Sequence, residues 1–380
     1  MKKRKQIWIV GGMIKGVGIS QYIFNTYKYM QIKHGEDIQL TFVNESGRHD
    51  YDKDFEDMGW KMIYISPWKK NPILYFKQWF NLLRINHKNI DLIHFHYDQL
   101  SKFWPFLILK LNKVQNIVVH SHNSANSDMS KRKFMMFSHK LGKKILSNMD
   151  VKRLAVSVPA GEWLFGSSNF KVMKNGIDTK KFQFSTKKRE KSRKDLNVSM
   201  DTYLFGNIGR FKEQKNHRFL IKLFKKVLDV YPKSKLVLVG IGPLEKEIKA
   251  YVKELHIQES VIFAGLRDDI PDLLSAFDMV LFPSLYEGFP IALVEAQANG
   301  VPTVYSNTIT SEVEMTKSII SAKLNEQSDW LEKIKLQIEE KNSFEKRKVS
   351  FLEVKNAGYD IDNESEKLYD FYVNLIGQDI

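Results

Sequence analysis

Glu287 and Glu295 bracket the segment most suited to chemistry, Phe282-Pro-Ser284-Leu-Tyr-Glu287-Gly288-Phe289-Pro290-Ile-Ala-Leu-Val-Glu295-Ala-Gln-Ala-Asn-Gly300. Pro290 is suited to open a helix. That puts Glu287 in the loop before the helix and Glu295 inside it, among apolar neighbours. A carboxylate so placed needs a partner when buried. The vicinal hydroxyls of a sugar or ribose can serve, because one carboxylate accepts from both. Gly288 permits close backbone approach, and Phe289 with Pro290 would shape a wall. A basic pair stands in Gly209-Arg210-Phe-Lys-Glu-Gln-Lys215-Asn216-His217. Two cations at a strand end can converge on a diphosphate, although two solvated surface cations are the simpler account.

Two glycine loops add anion-binding potential. Gly11-Gly12-Met-Ile-Lys15-Gly16-Val-Gly18 follows an apolar run and leads into a helical pattern, so backbone N–H groups and a helix N-terminus could face an anion. It lacks a Walker lysine followed by Ser or Thr, and Gln21 stands where a third glycine would continue the series. Gly240-Ile-Gly242-Pro243-Leu-Glu245 carries a long acid where a dinucleotide fingerprint wants a small residue, which argues against NAD. The reading is a tight turn or a nucleotide contacted by backbone.

The histidines come as two His-x-His pairs, His94 with His96 and His120 with His122. Period-two spacing puts each pair on one face of a strand. Neither pair includes an acid, so the expectation is a cleft lined by hydrogen-bonding imidazoles rather than a metal centre. Asp50-Tyr-Asp52 and Asp360-Ile-Asp362 match the D-x-D of metal-dependent sugar transferases. Neither adjoins the phosphate-binding candidates, and both are read as solvated or capping acids.

These residues need strands to hold them. Short apolar runs at 7–10, 39–43, 62–65, 92–95 and 117–119 alternate with longer helical patterns, and 203–208, 236–239, 261–263, 279–282 and 303–305 repeat the style. This is the signature of doubly wound α/β architecture with parallel sheets, whose ligands gather at the carboxyl ends of the strands. The length, 380 residues, suits two domains. The charge-dense run at 187–194 reads as a solvated loop or surface helix near their boundary.

Composition removes other classes. The chain has no cysteine, which excludes disulfides, Cys-ligated zinc, iron–sulfur clusters and thiol nucleophiles, and fits a reducing compartment. No stretch of 18 apolar residues occurs, and the apolar run near the N-terminus is broken by Gly11-Gly12 and Lys15 without a cleavage site. A cytoplasmic protein is expected, with peripheral placement on the inner face of the cell membrane open. The formal charge is +15, with +16 on residues 1–185 and −1 on 186–380. The excess on the first half, including Lys69, Lys70, Lys131, Arg132, Lys133, Lys143 and Lys144, is expected to favour an anionic membrane surface.

Jointly, these motifs resemble family 4 glycosyltransferases of the GT-B fold. Besides the E-x7-E segment, Lys174-Asn175-Gly176-Ile177-Asp178 looks like that family's inter-domain crossing. Gly209-Arg210 with Lys215-Asn216-His217, Val239-Gly240-Ile-Gly242-Pro243-Leu244 and Phe263-Ala-Gly265-Leu-Arg267-Asp268-Asp269-Ile270 match in order and spacing. The resemblance covers most of residues 170–310, and the first half matches loosely through Gly11-Gly12 and His120-Ser-His122-Asn123.

The resemblance implies specific roles. Arg210 and Lys215 would hold the donor diphosphate, with Gly209 and Gly242 in the adjoining loops. Glu287 would bind donor-sugar hydroxyls with the backbone of Gly288 and Phe289 nearby, and Glu295 would bind the ribose diol. Arg267 would lie near the base. Gly12, with Gly16 as a weaker candidate, would face the diphosphate, and His122 would face the donor sugar, with His120 in reserve. It implies two Rossmann-like domains facing a central cleft: an acceptor-binding domain over 1–180, a nucleotide-sugar domain over 181–355, and a terminal helix over 356–380 crossing back to the first. The expected enzyme is a retaining, metal-independent transferase moving a hexose from a UDP-sugar to a glycan or lipid-diphosphate-linked acceptor in surface polysaccharide synthesis, with no cofactor. The alternatives are a sugar-nucleotide epimerase of the same fold and a basic nucleic-acid-binding protein; nucleic acid is not the expected partner.

Overall fold

The computed structural model describes residues 3–124, 133–340 and 343–377. The chain forms two units, residues 1–176 together with 361–380, and residues 177–360.

Unit 1 runs β1 (Lys5–Gly11), α1 (Gly18–His34), β2 (Ile38–Asn44), α2 (Asp52–Asp57), β3 (Lys61–Tyr64), α3 (Pro72–Asn86), β4 (Leu92–Tyr97), α4 (Trp104–Leu111), β5 (Ile117–Ser121), α5 (Lys133–Ser147), β6 (Lys152–Ala155), α6 (Val158–Phe165) and β7 (Lys171–Val172). Unit 2 follows with α7 (Thr186–Asp195), β8 (Tyr203–Ile208), α8 (His217–Val230), β9 (Ser234–Val239), α9 (Glu245–Glu254), β10 (Val261–Gly265), α10 (Ile270–Ala276), β11 (Met279–Phe282), α11 (Ile291–Asn299), β12 (Thr303–Ser306), β13 (Ile319–Ala322), α12 (Gln327–Glu339) and α13 (Phe344–Val354). The last helix, α14 (Ile361–Ile376), returns to unit 1.

Both sheets are parallel, ordered β3-β2-β1-β4-β5-β6-β7 and β10-β9-β8-β11-β12-β13. Each therefore reverses winding direction once, between β1 and β4 and between β8 and β11. A crevice opens at such a reversal, because the flanking loops leave on opposite sides of the sheet. The central strands are buried on both faces: Leu236, Val237 and Leu238 on β9 have no exposed surface. This is why they read as continuous apolar runs.

Buried polar contacts set where three helices lie. Glu45, just after β2, accepts from Tyr75 Oη (2.5 Å), Trp79 Nε1 (3.1 Å), Tyr97 Oη (3.2 Å) and Lys102 Nζ (2.8 Å). The Tyr75–Trp79–Leu83 stripe of α3 is thereby fixed inward. On α14, Tyr372 Oη meets Tyr27 Oη of α1 at 2.7 Å, and Tyr369 stacks on His34 at 3.5 Å. Asp362 and Glu366 pair with Lys33 at 3.0 and 3.2 Å. Because α14 is acidic, unit 1 carries a formal +11 and unit 2 a formal +4. The contrast is milder than a division at residue 185 suggests.

The charge-dense run forms α7, capped by the Ser185 side chain accepting from Lys188 N. It is not simply solvated, because Arg189 and Arg193 are buried at 5% and 1% exposure. Arg189 and Arg193 each reach one oxygen of Asp278, at 2.6 and 2.5 Å. Both also donate to Ala276 O, and Arg347 of α13 donates to Leu274 O and Phe277 O. Three guanidiniums thus satisfy the orphan carbonyls at the C-terminal end of α10. The chain leaves and re-enters unit 1 at 176–177 and 360–361. There Ile177 bridges Asp360, and Asp360 accepts from Thr179 Oγ1 at 2.6 Å. Asp360 is therefore a buried acceptor rather than a solvated acid, while Asp50 accepts from Lys15 N and Asp52 from His49.

Candidate functional site

At the winding reversal of unit 2, the loops after β8 and β11 meet. A short 3-10 turn, Glu213–Lys215, closes on Asn216 in the left-handed region at φ 53°. Lys215 Nζ then reaches Glu287 Oε1 at 2.7 Å and lies 4.5 Å from the centre of the Phe282 ring. Gln214, which sequence reading passed over, donates to Tyr286 O (3.0 Å) and Glu287 Oε2 (3.1 Å), and its carbonyl accepts from Leu285 N (2.8 Å). A neutral amide between two charged neighbours carries no signal of its own until the two loops are known to touch. Lys215 and Glu287 are thus held together by a built contact, and Arg210 stands half-buried just beyond β8.

Glycines let these loops interlock. Gly240 has φ +133°, and a Cβ there would meet Gly209 O at 2.3 Å; one on Gly242 would meet Phe211 O at 2.5 Å. Gly242 therefore serves close packing of the β8 and β9 loops. The stem of Lys215 passes over Gly209, whose Cβ would stand 3.2 Å from Lys215 Cδ.

The remaining unit 2 candidates divide. Gly288 lies in the same loop as Glu287. Phe289 is 5% exposed and stacks on Tyr359 at 5.0 Å, so its ring belongs to the core rather than to a wall. Arg267 makes a two-pronged ion pair with Asp269 (2.7 and 2.6 Å), which engages the guanidinium proposed for the base. Glu295 is half-buried on α11, and burial pushes its carboxyl up to about 8 against a smaller opposing effect of Lys181.

In unit 1 the loop after β1 is already largely satisfied. Met13 N, Ile14 N and Lys15 N donate to Asn44 Oδ1, Ser20 Oγ and Asp50 Oδ2. An anion cradle would have to be built around these bonds. Gly12 has open space at its Cα, with only Ser46 Cβ at 3.7 Å, and Gly16 takes φ +74°.

The two His-x-His pairs converge because β4 and β5 are neighbours, with His96 opposite His120. The four rings do not line a cleft: His94, His96, His120 and His122 are 0, 2, 0 and 7% exposed. His96 is fully engaged, with Nδ1 2.8 Å from His122 Nε2 and Nε2 2.9 Å from Tyr27 Oη. His94 Nε2 and both nitrogens of His120 have no partner among the described protein atoms. Nitrogens of His94, His96 and His120 lie within 4.8 Å of one another. For the three to ligate one ion, His96 would have to give up a hydrogen bond to Tyr27 or His122. The hydrogen bonds that are made run through His96 and Tyr27. Burial lowers all four imidazoles, His122 to about 3.

Residues 188–349 match the family model described as Glycosyl transferases group 1. The glycosyltransferase EpsF of Bacillus subtilis is 29% identical over 328 residues, spanning 84% of this chain and 83% of that protein. The matched part of the chain is a group 1 glycosyltransferase domain. A UDP-Gal:alpha-D-GlcNAc-diphosphoundecaprenol alpha-1,3-galactosyltransferase of Escherichia coli is 34% identical over 139 residues, 36% of each chain. Among solved structures, Anabaena Alr3699/HepE in complex with UDP-glucose superimposes with a TM-score of 0.78 over 97% of this chain and 99% of that one, at 17% identity. The paired Rossmann-like units are those of the GT-B fold. The nucleic-acid alternative loses its footing, since the family match spans the unit that carries Arg210, Lys215 and both glutamates.

The position of Glu295 in this glycosyltransferase has a consequence for pH. Its folded-state pKa lies above the ordinary 4.5, so between pH 4.5 and 8 the folded protein keeps a proton that the unfolded chain releases. Stability therefore falls as pH rises through that window, and the loss is complete above 8. Glu295→Gln removes the titration. It is expected to raise Tm by about 3 °C or more at pH 9 and to leave it unchanged at pH 4, measured by calorimetry.

Proposed function

We propose that this transferase moves a hexose from a UDP-sugar to a lipid-diphosphate-linked glycan, with retention at the anomeric carbon and without a metal ion, in surface polysaccharide assembly. The observation that carries the reading is the Lys215–Glu287 pair held by Gln214 at the winding reversal of unit 2. A diphosphate entering there offers Lys215 a stronger anion than one carboxylate. Lys215 turns to it together with Arg210, and Glu287 is released to accept from sugar hydroxyls. One exchange thus prepares both ends of the donor.

Glu295, once ionised, accepts from the ribose diol. Breaking the anomeric C–O bond leaves an oxocarbenium-like sugar and a diphosphate with one more negative charge. Arg210 and Lys215 stabilise that charge as it develops, which is where fixed cations contribute most to rate. The leaving phosphate oxygen takes the acceptor proton on the same face, so retention follows without a separate base. His122, neutral and bonded to His96, acts within the buried histidine cluster as a hydrogen-bonding group rather than as a charge. The choice of UDP and of a lipid-diphosphate acceptor is supported by HepE, seen with UDP-glucose, and by the E. coli relative, named for a diphosphoundecaprenol acceptor.

The test is a thermal-shift panel of UDP-, GDP- and ADP-sugars, followed by turnover with lipid-linked and soluble acceptors in the presence of EDTA. The expected result is stabilisation by one or more UDP-sugars and EDTA-insensitive transfer to the lipid-linked acceptor. Donor consumption without any acceptor would point instead to an epimerase. Unchanged turnover and donor affinity in both Arg210→Ala and Glu295→Ala would overturn the site.

A further inference from the structure

Two helices of unit 1 turn apolar side chains outward. On α5 the inward positions are Ser138, His139, Gly142 and Leu146, mostly small or polar. Phe134 and Phe137, by contrast, are 73% and 65% exposed, with Leu141 one turn on. On α3 the inward stripe is held by Glu45, and Ile73, Phe76 and Phe80 face out. Neither helix contains a single Asp or Glu. Their outward positions carry Lys77 and Arg84 on α3 and Lys133, Lys140 and Lys144 on α5, with Lys69 and Lys70 leading into α3. Helix α4 packs against both α3 and α5, and the Phe76 ring lies 5.4 Å from that of Trp104, so α4 joins the two helices into one strip.

A surface helix of a water-soluble domain keeps its apolar stripe inward. Exposed Phe and Leu interleaved with lysines are instead the composition of a helix lying in a lipid interface. A second copy of the chain would cover the apolar groups, but a two-fold contact sets like against like and would bring these lysines together. Nucleic acid would satisfy the lysines and leave Ile73 and Leu141 unused.

We propose that the α3–α4–α5 strip docks on an anionic lipid bilayer, its Phe side chains at the headgroup–acyl boundary and its lysines on the headgroups. Of the basic residues expected to serve this, Lys69, Lys70, Lys133 and Lys144 are exposed. Lys143 turns inward and donates to Trp163 O at 2.6 Å, and Lys131 and Arg132 lie outside the described residues. The proposal extends the transferase reading without depending on it.

The test is flotation of the full chain with phosphatidylcholine vesicles, with and without phosphatidylglycerol. Partition onto the anionic vesicles is expected to be at least tenfold stronger and to weaken with salt. Phe134→Ser with Phe137→Ser should lower it about tenfold at unchanged Tm and unchanged stabilisation by UDP. Lys140→Gln with Lys144→Gln should remove most of the anionic preference. Equal binding to both vesicle types, a Phe variant that floats like the wild type, or a dimer that the Phe substitutions dissociate would each overturn the proposal. A chain that docks but ignores UDP-sugars would leave it standing and sink the donor reading instead.

Discussion

Lys215→Ala is expected to lower kcat by about a hundred- to a thousandfold, the loss typical of removing one preorganised group that stabilises developing charge. The cation is held over Phe282 and Gly209 and touches Glu287 before any donor arrives. It therefore costs little reorganisation when charge develops on the leaving diphosphate. Its removal also leaves the Glu287 carboxylate beside the proposed diphosphate site, so donor affinity should fall as well. Lys215→Ala with Glu287→Gln separates the two effects. The double variant is expected to recover UDP affinity, because the repelling carboxylate is gone, while kcat stays low. Isothermal titration with UDP and steady-state rates measure both. A single variant with wild-type kcat would remove Lys215 from the chemistry.

The second large effect concerns stability. Asp278→Ala is expected to cost about 3–5 kcal/mol, because it leaves buried guanidiniums without their anion. Arg189 and Arg193 each lose a charge-assisted bond, and Leu204 N loses its acceptor at 2.7 Å. Arg347, whose guanidinium burial pushes down to about 9, keeps its carbonyl partners but loses the nearby charge. Urea unfolding should show the drop. The fraction that remains folded should bind UDP normally, since none of these groups reaches the Lys215–Glu287 loops. Asp278→Asn should be nearly as damaging, because it keeps the shape and removes the charge. A loss under 1 kcal/mol would mean that carbonyls alone hold the arginines.

Most central strands were legible in the sequence because burial on both faces leaves an uninterrupted apolar run, as in β9 and β11. The short β6, β7 and β13 were not, since Lys152–Ala155 and Lys171–Val172 have no such run and Ser321 breaks the one in Ile319–Ala322 after two residues. The glutamates and cations of the site were recognisable by type. That Lys215 and Glu287 touch was not, because their distance depends on β8 and β11 being neighbours, a property of strand order rather than spacing. The histidines show the same limit from the other side. Period two put each pair on one face, but only the adjacency of β4 and β5 merged them into a sealed core. Arg189 and Arg193 carry the same letters whether solvated or buried against carbonyls, so α7 looked like surface.

Helix α14 belongs to unit 1 although 184 residues separate it from the rest of that unit. During synthesis at roughly 5–20 residues per second, the partner surface on α1 waits about 10–40 s for its cover. Until then Tyr27, His94 and the apolar face around them stand open. Unit 2 has no such gap, being one continuous stretch of chain. While unit 2 is being made, the nascent chain carries an unfinished first half, and that interval is when a chaperone would find most to hold.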